Sequence, residues 1–143
     1  MSEDSPQVVI VPCSGIGKAF GSVAREAGYE VCNVLRPDTT RLVALSRLVL
    51  GDAEAQDRVR QHPAITIDGC KLMCAANLVK HNGGTIARKM AVLDAFRQHK
   101  ELKPEGIAEL NAEGKHLARI MADEIAEVVD DLGDKTHIGE THA

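Results

Sequence analysis

The sequence predicts an α/β fold, a single open and mostly parallel sheet of about four strands in the order 2-1-3-4, with flanking helices and a long C-terminal helix. Two observations carry most of that prediction. Val8–Val11 (Val-Val-Ile-Val) is a continuous β-branched run without polar alternation, the pattern of a strand covered on both faces, and Ala64–Ile67 (Ala-Ile-Thr-Ile) is a second short β-rich run. Segments of helical period separate them, which is the signature of crossover units. A third observation is the stripe Leu110, Gly114, Leu117, Met121, Ile125, Val128 and Leu132, which predicts an amphipathic helix over Glu105–Leu132.

The elements follow in order. After the Val8–Val11 strand comes a small-residue turn, Cys13-Ser14-Gly15-Ile16-Gly17-Lys18. Then Phe20, Val23, Ala24, Ala27, Val31, Val34 and Leu35 recur at i, i+3, i+4 and i+7 until Pro37 stops them. Gly28 lies inside this stretch, and a strand over Glu30–Leu35 is the alternative. One helix is preferred because the stripe stays in phase across the glycine. Arg41–Leu45 reads as the second strand, although Leu42–Leu50 also suits a helix. Asp52–Gln61 is a charged helix closed by His62-Pro63. The third strand ends at Asp68-Gly69-Cys70, a helix over Lys71–Lys80 follows, and Asn82-Gly83-Gly84 turns the chain. The fourth strand is expected within Thr85–Leu93, at its Met90–Leu93 end. The expected domain spans residues 7–132, with flexible ends at 1–6 and 133–143.

Composition narrows the function classes. The chain has 143 residues, 44% hydrophobic and 27% charged, with a net charge of −4. Tyr29, Phe20 and Phe96 are its only aromatics, so a basic stacking surface for nucleic acid is nearly excluded and no nucleic-acid partner is expected. No apolar run approaches the ~20 residues of a membrane span. The start, Met1-Ser2-Glu3-Asp4, is acidic where a secretory leader is basic and then apolar, so a cytoplasmic location is expected. In a reducing compartment four cysteines are core residues, metal ligands or reactive thiols more often than disulfides.

Position chooses among those uses. Right-handed crossovers make strands one and three neighbours at a switch point, where such sheets bind ligands. Cys13 follows the first strand and Cys70 the third, so their chain ends lie about 5 Å apart. Cys74 stands four residues beyond Cys70, one helical turn up, by about 6 Å. Helix N-termini nearby, with Lys18 and Lys71, are expected to lower the thiol pKa values. Three such thiols make a soft-metal site. Cys32 does not join them: along a continuous first helix it lies roughly 20–25 Å away. It is a doubtful ligand, returning to contention only with the alternative strand.

Other residues have simpler roles. Asp68 is expected to cap a helix or support the thiolates, and Ser14, Gly15 and Gly69 shape the turns that present them. Pro12–Ala19 has a glycine turn and a lysine, but not the spacing of a phosphate-binding loop. His81 is about 10 Å beyond Cys74 on its helix, too far to share an ion.

The motifs Pro12-Cys13-Ser14-Gly15 and Ile67-Asp68-Gly69-Cys70, the second followed by Cys74-Ala75, resemble the DGC-domain family, small prokaryotic proteins named for a central Asp-Gly-Cys. The resemblance covers Val8 to the final helix. It implies zinc held by four cysteines, of which Cys13, Cys70 and Cys74 are matched here. The family's remaining cysteine sits in the second strand, where this chain reads Arg41-Leu42-Val43-Ala44. Three thiolates with an open position is therefore the expectation, the arrangement of catalytic or transfer sites. An iron–sulfur cluster is the alternative cofactor, because thiolates accept both. Without a metal, the same crevice suits a sulfur-carrier or thiol-redox cysteine. Its expected company is a protein partner or a small sulfur-containing or anionic ligand. The C-terminal helix is expected to pack on the sheet, with dimer formation as its second use.

Overall fold

Four strands pair in the order β2-β1-β3-β4, every pair parallel, as the sequence predicts. The computed structural model describes residues 7–13, 18–106 and 109–142, with side chains described as far as Gly133. Ser14 and Gly15, expected to shape the first thiol turn, lie outside the described residues, as do residues 1–6.

β1 (Val8–Pro12) and β3 (Ala64–Asp68) are buried at every position, which explains the unbroken apolar run of β1, while β3 buries Thr66 and Asp68 along with its apolar residues. They lie side by side, Pro12 opposite Ile67. β2 (Thr40–Leu42) is shorter than expected. Its ladder ends when the Val43 N–H donates to the Ile10 carbonyl, and α2 (Leu45–Val49) begins two residues on. Both readings of that segment thus hold in part.

α1 (Ala19–Glu30) passes through Gly28 without breaking. A Cβ there would stand 3.2 Å from Pro12 Cγ and 3.3 Å from Leu42 Cδ1, so the glycine serves close packing on the sheet. The helix continues through a π-helical turn, Val31–Leu35, closed by the Arg36 N–H on the Val31 carbonyl at 2.8 Å. α3 (Ala53–Gln61) starts at Asp52, whose carboxylate accepts from the Ala55 N–H at 2.9 Å.

Three boundaries differ from expectation. α4 begins at Cys74 and runs to His81, so Lys71–Met73 are turn and not helix. β4 occupies Ile86–Ala91, and Val92 already opens α5 (Val92–Gln98). As an edge strand β4 buries little and exposes Arg88 and Lys89, which removes the pattern that marks strands. α6 (Ala112–His142) starts later than Glu105, where the Asn111 side chain accepts from the Gly114 N–H at 2.8 Å. Its backbone remains helical through the segment expected to be a flexible end.

α1, α5 and α6 pack together on one face, while α2, α3 and α4 cover the other. Leu117, Met121 and Ile125 of α6 are fully buried, so the predicted stripe packs inward. Phe20 and Phe96 meet edge to face, centroids 5.6 Å apart, fastening α1 to α5 beside the carboxyl edge of the sheet.

Candidate metal centre

The chain leaves β1 and β3 at adjacent positions, and its backbone fastens the two exits together. The Cys13 N–H donates to the Ile67 carbonyl at 2.8 Å. In return, the Gly69 N–H points at the Cys13 sulfur, 3.2 Å away. Cys13 is therefore buried and held from the neighbouring strand exit.

Gly69 has a steric reason to be glycine. A Cβ at this position would come within 2.8 Å of the Phe20 carbonyl carbon and of the Gly21 nitrogen. Those atoms belong to the first turn of α1, so the exit of β3 passes directly against that helix. Only backbone fits between them.

Asp68 does the other half of the work. Its carboxylate, 1% exposed, accepts from the Ala75 N–H at 2.7 Å and the Ala76 N–H at 3.2 Å. These are unpaired donors of the first turn of α4, so a strand-end residue caps the next helix from seven and eight positions away. Burial holds the Asp68 carboxyl above the ordinary range, while the two N–H groups and Lys89 pull it back down. Between the aspartate and the helix it caps, Cys70–Met73 form a turn. The Met73 N–H lies 3.3 Å from the Cys70 carbonyl, and Met73 itself is left-handed at φ 55°. Asn77 braces the turn with a side-chain N–H to the Leu72 carbonyl at 3.0 Å. The Asp-Gly-Cys run is thus a cap, a gap for α1 and a presented thiol.

Cys13 and Cys70 line one small cavity of about 30 Å³, with Lys18, Gly21 and Gly69. That is about the volume one water molecule occupies in the liquid. Cys70 is half-buried there, and Cys74, the first residue of α4, is exposed. Cys74 is still near enough that its negative charge would raise the Cys13 pKa, as would those of Asp68 and Cys70. Among the described residues, no three histidine, cysteine or acidic side chains are already arranged around a common metal position.

The expected lowering of the thiol pKa fails at Cys13. Burial pushes this thiol up, and the Gly69 N–H only partly offsets that. A buried strand exit is dry, and desolvation there outweighs the pull of nearby N–H groups.

The remaining expectations divide. Lys18 lines the thiol cavity, whereas Lys71 faces a separate groove on the other side of Cys70. Cys32 lies in the π-helical turn, about 20 Å along the helix from Ala19. Its thiol, also raised by burial and partly offset by Thr40, lies near the start of β2, which is the opposite end of the sheet. His81 closes α4, at the end away from Cys74. Gly21, Asp94 and Arg97 also line the two cavities around Cys70, and sequence reasoning did not single them out. Gly21 carried a weak signal, a small residue in the first turn after a thiol. The two charged residues carried none.

No described helix is long and apolar enough to cross a membrane. The chain has no significant match among curated proteins or solved structures. The family model of the DGC domain matches residues 9–131, from the first strand to within the last helix, and takes in all four cysteines together with the Asp-Gly-Cys run. The chain belongs to the DGC-domain family.

Proposed function

We propose that the carboxyl edge of the sheet is a metal–thiolate centre, with Cys13, Cys70 and Cys74 as ligands of zinc or, alternatively, of an iron–sulfur cluster. The observation that carries this reading is the shared cavity of Cys13 and Cys70, at adjacent strand exits and with room for about one atom beyond the sulfurs. The donor set fits a soft metal. Two thiols already border one space, and Cys74 is exposed on the first turn of α4, free to turn toward it. A bound zinc ion would supply Lewis acidity at the open position. The chain's own contribution is the rest. Gly69 donates to the Cys13 sulfur, Asp68 fixes the start of α4, and Lys18 brings positive charge to the mouth of the cavity.

The test is elemental analysis and an absorption spectrum on protein purified without oxygen, beside Cys70→Ser and Cys32→Ser. Near-stoichiometric metal is expected in the parent and in Cys32→Ser, and its loss in Cys70→Ser. Metal-free parent protein would overturn the reading.

A second reading is favoured by one observation, that Cys70 borders both the thiol cavity and an open groove. Here Cys70 carries sulfur. Its thiolate attacks the outer sulfur of a persulfide donor, RS–SH, giving Cys70–S–SH and releasing RS⁻. Cys13 is a poor candidate for that role, because burial keeps it protonated. Mass analysis after exposure to a persulfide donor tests this, with Cys70 as the residue expected to gain one sulfur.

A further inference from the structure

We propose that the groove on the far side of Cys70 binds a small molecule with an anionic head and an apolar body, and delivers it to the Cys70 sulfur. The proposal rests on the reading of Cys70 as a chemically active thiol and names the class of ligand that reaches it. The groove is an open depression of about 250 Å³ between the turn after β3 and the start of α5. Cys70 is the residue it shares with the thiol cavity, and it is half-buried, so a molecule lying there is next to a partly accessible cysteine.

Its lining is mixed. Met73, Ala91 and Leu93 supply apolar surface. The same lining holds two cations, Lys71 and Arg97, and one carboxylate, Asp94. Asp94 takes a single guanidinium nitrogen of Arg97, Nη1 at 3.2 Å. Arginine has five N–H donors, so most of that fork remains for a ligand carboxylate or phosphate. The lining carries one net positive charge in a chain whose net charge is −4. Apolar surface serves any carbon skeleton, whereas the two cations favour an anionic head over a neutral or cationic one. Met73 helps to form that surface from a left-handed backbone conformation, uncommon for a residue with a long side chain.

The experiment compares alkylation by iodoacetate, an anion, with alkylation by neutral iodoacetamide. It uses the full chain, metal-stripped and zinc-loaded, with each cysteine resolved by peptide mass analysis. In the metal-stripped chain the iodoacetate-to-iodoacetamide rate ratio should be at least about threefold higher at Cys70 than at Cys74, the scale of a surface charge interaction. It should fall to the Cys74 value in a Lys71→Gln, Arg97→Gln double variant and rise in Asp94→Asn. All three side chains are exposed, so these variants leave the fold in place. Equal ratios at Cys70 and Cys74, unchanged by the variants, would overturn the proposal. Protection of the thiols by zinc is read separately in the same experiment. Its absence with a retained charge preference would sink the metal reading alone, and protection without charge preference would sink the groove alone.

Discussion

The two ends of the sheet hold the same chemical group in different company. Cys13 at the carboxyl edge and Cys32 at the amino edge are both thiols pushed up by burial. Around Cys13 the neighbours are Cys70, Cys74 and a backbone N–H from Gly69. Around Cys32 they are Thr40 and Arg41. Burial and pKa therefore do not separate a candidate ligand from a core cysteine here. What separates them is whether the topology brings further sulfur to the same place, and β1 beside β3 does so at one edge only.

Two glycines meet different neighbours, backbone at Gly69 and side chains at Gly28, and the largest expected effect probes that difference. Gly69→Ala drives a Cβ into the backbone of α1, which cannot yield as a side chain does. A loss of about 3 kcal/mol in urea denaturation is expected, with metal content reduced as well. Gly28→Ala meets only the tips of Pro12 and Leu42, which give by a few tenths of an ångström, so its cost should stay within about 1 kcal/mol. Equal costs would remove the distinction.

The next pair compares two aspartates that cap helices. Asp68→Asn loses one of two buried bonds to α4 and should cost about 2 kcal/mol. Asp52→Asn, at the exposed start of α3, should cost clearly less, toward the low end for caps. Their pH dependences have opposite sign. The Asp68 carboxyl is raised, chiefly by burial, so its contribution is fully present below the unfolded pKa and declines as pH rises through the folded value. The Asp52 carboxyl is lowered, first by the Ala55 N–H and also by Arg47. Its contribution is complete above the unfolded pKa and lost as pH falls through the folded value. Stability differences from the two Asn variants, followed between about pH 3 and 6, should therefore slope in opposite directions.

The smallest effect lies at the amino edge. Arg36 and Asp130 join the π-helical turn to α6 through two bonds of 2.8 Å, on side chains 34% and 52% exposed. Asp130→Asn should cost about 0.5 kcal/mol or less at moderate salt, shrinking as salt is added, in the same denaturation assay.

What the sequence made legible follows from what each element buries. β1 and β3 are covered on both faces, so their apolar runs had no competing interpretation, and right-handed crossovers then led to the order 2-1-3-4. From that order alone Cys13 and Cys70 arrive at one cavity. β4 stayed obscure because an edge strand buries little beyond Met90. The start of α4 was misplaced for a different reason. Lys71, Leu72 and Met73 are acceptable helix formers, but Asp68 captures the N–H groups of Ala75 and Ala76 and so fixes the first turn at Cys74. A cap reaching back from a preceding strand leaves no mark in local propensity. The pKa of Cys13 was likewise hidden, since its burial arises only when β1 and β3 come together in three dimensions.

The central claim is that three sulfurs of the carboxyl edge form the metal's ligand set and that Cys32 stands outside it. X-ray absorption at the metal edge of anaerobically purified protein tests it most directly. The account predicts three sulfur neighbours, at about 2.3 Å if the metal is zinc, plus one lighter atom, with an unchanged spectrum in Cys32→Ser. Four protein sulfurs, one of them lost in Cys32→Ser, would contradict it.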